Sequence, residues 1–350
     1  MATGADPAAT ADPRAVLTRA AAPPDATVRY GPLPDQVADV RFPCAGTGTG
    51  TGPTRGRGAD TGTAADTGTG TGTGTGADTG TGTGAGRSPG VAGGGRPTTL
   101  VVVVHGGFWR AGYDRRHLDP LAADLAARGY LVAQLEYRRT GQPDGGWPAT
   151  FDDVTAGMAA LPALVADLLG DGATTDRSTT GATDATATDG TAGHGTAGQG
   201  TGVAVVPGAP VLIGHSAGGH LALWYAATQP RRVRGVLALA PVADLTRAYR
   251  LDLDGGAVGA LLGGGPDEQP ARYADADPAR LPPPRCPTVI IHGKLDRQVP
   301  LELSRRYATA AGSVGADVRL VETSTEHFSL IDPEARIWPT VVAGLQSVFG

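Results

Sequence analysis

Sulfur and net charge are both scarce in this sequence. It has two cysteines, Cys44 and Cys286, and a formal net charge of −5. Two distant cysteines make no disulfide framework, and no Cys-x-x-Cys or Cys/His spacing offers a zinc site. They read as reduced thiols of a soluble, cytoplasmic protein. No block of Lys and Arg supplies the basic footprint that nucleic acid or an anionic membrane surface requires. Residues 1–18 lack the basic-then-apolar order of a signal peptide, and no apolar run approaches the ~20 residues of a bilayer span. Aromatic residues make up 5% and charged residues 18% of the chain. Glycine fills the gap: 55 glycines are roughly twice the usual share of about 7%. Not all of the 350 residues therefore read as folded.

The glycines gather in two tracts. Residues 45–96 are dominated by Gly-Thr runs, and residues 170–202 form a second Gly/Thr/Ala/Asp stretch. Ordering such chain costs entropy that almost no apolar surface offsets, so both are expected to be disordered insertions. Their short period carries no hydrophobic face and is no solenoid repeat. Residues 1–27, rich in Ala, Pro and Asp, are expected to be a loosely ordered N-terminus. Residues 28–350 then form one domain whose ordered part, about 260 residues, is an ordinary size for an α/β unit.

Outside the tracts, strand and helix patterns alternate. Strands are expected over residues 37–42, 98–104, 130–135, 210–214, 233–240, 287–291 and 318–322. Helices are expected over 117–128, 151–169, 217–228, 301–311 and 333–349. The run Thr-Thr-Leu-Val-Val-Val-Val at 98–104 marks a strand buried on both faces. Such alternation predicts a doubly wound, mostly parallel sheet. Ligands of these sheets sit at the carboxyl ends of the strands, so the residues after each strand carry the functional reading.

Four post-strand segments stand out. Gly214-His-Ser216-Ala217-Gly218-Gly219 is a G-x-S-x-G turn between an apolar strand and an apolar helix. A nucleophilic serine needs such a sharp strand-to-helix turn, and small flanking residues let the two elements approach. His105-Gly106-Gly107-Phe108-Trp109 follows the Val run. The N–H groups of Gly107 and Phe108, with that of Ala217, are candidates to receive an oxyanion. Asp296, 80 residues past Ser216, follows a late strand and can orient an imidazole. His327, 31 residues further, follows the last strand and is the candidate general base. An ordinary Gly-rich turn, a packed loop and solvated side chains are the alternatives for these segments. The other histidines fit less well: His194 lies in a Gly/Thr tract, His117 precedes a helix, His215 and His220 are too near Ser216, and His292 ends a core strand. His105 reads as a loop organiser. Trp109 and Trp147 are candidates for a substrate pocket, simple packing being the equal alternative for Trp147. Residues 244–285, interrupted by Pro and Gly, are a candidate cap.

Together the segments 105–109, 214–220, 292–300 and 326–328 resemble the α/β-hydrolase superfamily, and more narrowly its esterase/lipase and kynurenine-formamidase-like group. The resemblance covers residues 30–44 and 97–350 apart from the second tract. It implies the α/β-hydrolase fold, an oxyanion hole from Gly106 to Trp109, and a substrate-side loop at Glu136-Tyr137-Arg138-Arg139. It also implies the Ser216–Asp296–His327 triad of a serine hydrolase acting on a small-molecule ester or amide, with no cofactor, metal, nucleic acid or membrane. Carboxylesterase or aryl-formamidase chemistry comes first. A serine peptidase of the prolyl-oligopeptidase kind shares the elbow, but nothing before residue 97 could build the propeller such enzymes carry. A non-catalytic binding protein on the same fold is the third reading.

Overall fold

Eight strands pair into one sheet in a computed structural model, whose described residues are 12–44, 97–171, 204–205 and 208–349. The strands are β1 (Ala26–Arg29), β2 (Val37–Arg41), β3 (Leu100–Val104), β4 (Leu131–Leu135), β5 (Val211–His215), β6 (Gly235–Leu239), β7 (Thr288–Gly293) and β8 (Val318–Thr323). Their spatial order is β1-β2-β4-β3-β5-β6-β7-β8. β2 runs antiparallel to both β1 and β4, and every other pair is parallel. The chain leaves β3 toward β4 on one side and returns to β5 on the other. That reversal opens a crevice at the carboxyl ends of β3 and β5.

The apolar runs behave as their composition requires. In β3, Val102 and Val104 belong to one buried cluster, and Val101 and Val103 to the cluster on the opposite face. The first face packs against α2 (Ala149–Asp171) and α3 (Ala217–Thr228), the second against α1 (Asp119–Ala127) and α8 (Trp338–Ser347). Each fully buried valine is worth about 1.5–3 kcal/mol relative to exposure. Between β6 and β7 lie three short helices, α4 (Leu245–Arg250), α5 (Ala257–Leu262) and α6 (Pro270–Ala276); α7 (Leu301–Ser313) follows β7. α2 is long and apolar enough by composition to cross a bilayer, which the search for apolar runs did not anticipate. Its Phe151, Val154, Met158, Leu161 and Val165 are nonetheless buried against the sheet, as in a core helix.

The two Gly/Thr tracts lie almost wholly outside the described residues, as do residues 1–11. Pro97–Thr98 pairs in parallel with Ala204–Val205, bringing together the downstream ends of both tracts. Cys44 and Cys286 are free thiols.

The loosely ordered N-terminus needs correction over residues 12–27. Pro13–Thr18 forms a 3₁₀ turn whose first N–H groups are met by Asp12, and Thr27 already belongs to β1. Val16 is fully buried in the cluster with α1 and α8, and Arg19 pairs with Asp332. Composition misses this because one buried valine and one ion pair hold the segment, with no periodic pattern. Val16→Ala removes two methyl-sized groups at about 0.8 kcal/mol each. Trypsin is expected to cut after Arg14 and Arg19 about tenfold faster in that variant; an unchanged cutting rate would contradict the anchoring.

Candidate active site

Ser216 sits immediately after β5 with φ +56°, in the left-handed region where side chains are strained. The elbow is held by its backbone. The Ser216 N–H donates to the Leu239 carbonyl (2.8 Å), and its carbonyl accepts from the N–H groups of His220 (3.0 Å) and Val242 (3.2 Å). The glycines are there for contact distance. A Cβ on Gly214 would lie 2.3 Å from the Gly218 carbonyl oxygen, and one on Gly218 would lie 2.1 Å from that of Val104. On Gly106 it would lie 2.8 Å from the His215 carbonyl oxygen and 3.0 Å from the Ser216 Cβ. Any side chain at these positions would push α3 from β3, or the 105–109 loop from the serine.

That loop turns through three successive positive φ values: Gly107 at 101°, Phe108 at 48° and Trp109 at 57°. The Trp109 carbonyl is held by the Thr140 N–H (2.7 Å) and hydroxyl (2.9 Å). The N–H groups of Gly107, Phe108 and Ala217 have no acceptor among the described residues. Beneath the loop, His105 donates from Nε2 to Glu136 (2.8 Å), and Tyr137 stacks on the His105 ring and donates to its carbonyl (2.8 Å). Glu136 also accepts from the Arg115 N–H (3.0 Å) and lies 3.3 Å from the Arg139 guanidinium. Burial would raise its pKa; His105 and Arg139 outweigh it and draw the carboxyl down from 4.5 to about 2. The segment 136–139 thus buttresses the glycine loop from below, while Arg139 also lines a cleft of about 620 Å³ beside the catalytic cavity.

His327 follows β8. Its Nδ1–H donates to Asp296 Oδ2 at 2.6 Å. The other carboxylate oxygen accepts the N–H groups of Gln298 and Val299, both at 2.8 Å. Burial acts to raise the Asp296 pKa, but the hydrogen bonds from His292 and His327 hold it well below the ordinary value, so it stays a carboxylate. His292, fully buried, donates from Nε2 to the Val299 carbonyl (2.9 Å), accepts the Ser304 hydroxyl at Nδ1 (2.7 Å), and stands 3.3 Å from Asp296. It ends β7 packed, as its place in the sequence predicts, and also faces Asp296. His215 donates from Nε2 to the His327 carbonyl (3.2 Å). Burial first, and then the neighbouring His327 and His117 rings, push its pKa well below the ordinary value and keep it neutral. No sequence signal marks either histidine, because both act through buried contacts across distant segments.

Ser216, His327, Gly107 and Phe108 line one cavity of about 130 Å³, completed by Leu17, Tyr113 and Phe328. The Ser216 hydroxyl makes no hydrogen bond among the described residues; such bonds are often long before substrate binds. A larger cleft of about 620 Å³ adjoins it through Leu17, Tyr113 and His117 but holds neither Ser216 nor His327. Residues 244–285 reach the cavity through Asp254, which pairs with Arg110. Neither tryptophan lines the cavity. Trp109 is fully buried and donates to His220 (3.2 Å), which donates onward to the Ala276 carbonyl (2.9 Å). Trp147 packs edge-on against Phe151. Among the described residues no group of His, Cys, Asp and Glu is placed to hold a metal ion.

Two measurements test this geometry. Gly218→Ala forces backbone apart at the elbow; it is expected to cost about 1–3 kcal/mol or more by thermal unfolding and to lower turnover of any substrate. The depressed Glu136 carboxyl contributes stability that is complete above pH 4.5 and lost as pH falls toward 2. Glu136→Gln is therefore expected to be less stable at pH 7 and to lose less stability over that acid window. An equally steep acid loss in the variant would assign the effect to other carboxylates.

Comparisons with known proteins agree with this architecture. Residues 199–338 match the prolyl oligopeptidase family. No curated protein matches the sequence. Among solved structures, a bifunctional GH43-CE protein of Bacteroides eggerthii superposes with a TM-score of 0.58 at 16% identity, over 92% of this chain and 38% of that one. A truncated carbohydrate esterase from gut microbiota gives 0.57 at 14% identity, over 92% and 96%. Esterase B of Lactobacillus rhamnosis gives 0.56 at 17% identity, over 96% and 87%. With a sheet order that reverses at β3 and β5, a strained serine at that switch point and these likenesses, the chain has the α/β-hydrolase fold.

Proposed function

We propose that the protein is a serine hydrolase that cleaves a carboxylic ester or an aryl formamide through an acyl-Ser216 intermediate. The observation that carries this is the convergence, on one small cavity, of a strained serine, a carboxylate-held histidine and the Gly107–Phe108 turn, whose N–H groups have no acceptor among the described residues. In this reading His327 Nε2 takes the Ser216 proton as Oγ attacks the substrate carbonyl carbon. The oxyanion of the tetrahedral intermediate is received by the N–H groups of Gly107, Phe108 and Ala217. As the intermediate collapses, the imidazolium returns the proton to the departing alcohol or amine. Water then repeats the sequence on the acyl-enzyme, its proton passing through His327 to Ser216. Asp296 holds His327 in the Nδ1–H tautomer and stabilises the charged ring.

A cavity of about 130 Å³ favours a short acyl group. The likeness to a carbohydrate esterase and to esterase B of Lactobacillus rhamnosis supports an ester as the substrate. The match to the prolyl oligopeptidase family favours a second reading, cleavage of a peptide bond. Two free thiols support a reducing, cytoplasmic setting.

Short-chain p-nitrophenyl esters, N-formylkynurenine and an aminoacyl-p-nitroanilide separate these readings, with Ser216→Ala as the blank. Acetyl or butyryl ester turnover is expected, falling at least about a thousandfold in Ser216→Ala and in Asp296→Asn. Anilide turnover above ester turnover would move the assignment to the peptidase. Ester turnover that survives Ser216→Ala, or no reaction with a fluorophosphonate probe, would remove the nucleophile.

A further inference from the structure

The wall of the catalytic cavity includes a segment far from the triad in sequence. Leu17 and Arg14, both on the 3₁₀ turn Pro13–Thr18, line the same cavity as Ser216 and His327. The turn is anchored on either side. Asp12 accepts the Arg14 N–H at 2.9 Å, Val16 is fully buried, and Arg19 bonds Asp332 (3.1 Å). The Arg14 guanidinium lies 5.7 Å from the centre of the Phe328 ring, the residue after His327. Cation–π contact there holds the charge over the cavity mouth.

The charges around this mouth do not cancel Arg14. Asp254, the carboxylate on the cavity, is already paired with Arg110. His117 and His215, also on the wall, are kept neutral mainly by burial, His117 with a pKa of about 3. An adjoining groove of about 260 Å³ carries Asp12, Arg297 and Glu326 beside Arg14, yet no carboxylate among the described residues lies within ion-pair distance of the Arg14 guanidinium. A cation is thus presented at the cavity of Ser216 with no ion-pair partner among the described residues.

We propose that Arg14 is a specificity residue that selects substrates carrying a carboxylate a few atoms from the scissile carbonyl. The inference rests on the Ser216 hydrolase reading and deepens it by naming the substrate class: half-esters or related anionic acyl compounds. A planar guanidinium binds a carboxylate through two parallel hydrogen bonds, which gives orientation as well as attraction. Because Arg14 is exposed, the attraction is screened by salt.

The test compares kcat/KM for monomethyl succinate and methyl butyrate, two esters of the same reach that differ in the terminal charge, by methanol release. The ratio of charged to neutral ester is expected to fall at least about tenfold in Arg14→Gln, to recover in part in Arg14→Lys, and to shrink in the wild type at about 0.5 M salt. A ratio in Arg14→Gln within about twofold of the wild type overturns the proposal, including the case in which both esters slow together. Should the wild type cleave neither ester and resist fluorophosphonate labelling, the hydrolase reading itself fails and takes this one with it. Ester cleavage lost in Ser216→Ala with an unmoved charge ratio sinks the role of Arg14 alone.

Discussion

The constraint on which the candidate site depends is the seating of α3 against the end of β3. The Gly218 Cα stands where any Cβ would lie 2.1 Å from the Val104 carbonyl oxygen. With that gap closed, α3 begins directly at the carboxyl ends of β3 and β5, and Ser216 has no room for a relaxed turn. Its positive φ is the consequence. The same contact brings the 105–109 loop against the serine, with Gly106 beside the Ser216 Cβ. Ser216 and the candidate oxyanion donors are therefore fixed relative to each other by backbone packing, which is stiffer than any side-chain arrangement.

Around this rigid pair the titratable groups sort by partner. Asp296 faces two imidazoles and two backbone N–H groups, so it remains charged despite burial. His215 and His117 are buried without a carboxylate on their rings and stay neutral. Glu136 is charged because His105 and two arginines surround it, and it supports the glycine loop from below. In the proposed hydrolysis, positive charge at His327 would be met by a fixed carboxylate, with no competing cation among its neighbouring rings.

How much of this was legible in the sequence depended on the range of the interaction. The Val run of β3 and the G-x-S-x-G turn are local, and the sheet and elbow stand where they were expected. Asp296 and His327 stand out in the sequence because each follows a strand of a parallel sheet, a position that topology makes informative, and the structure pairs them at 2.6 Å. β1 and the Pro13–Thr18 turn were hidden in a stretch whose composition reads as disordered, since four strand residues and one buried valine leave no period. The tryptophans misled for the opposite reason. Beside an active-site motif an indole suggests a pocket, yet Trp109 spends its N–H on His220 and ties the loop to α3 and to the 244–285 segment.

The attachment points of the two Gly/Thr tracts explain how such a site accommodates long insertions. β2 is antiparallel to β4, with Arg41 beside Val132, so the chain leaves β2 at the amino end of the parallel strands. Residues 97–98 and 204–205 pair just before β3 and β5 begin, at that same rim. Every catalytic candidate stands at the opposite rim, after β3, β5, β7 or β8. Both tracts thus join the fold at one rim, away from the contact between Gly218 and Val104 on which the other rim is built.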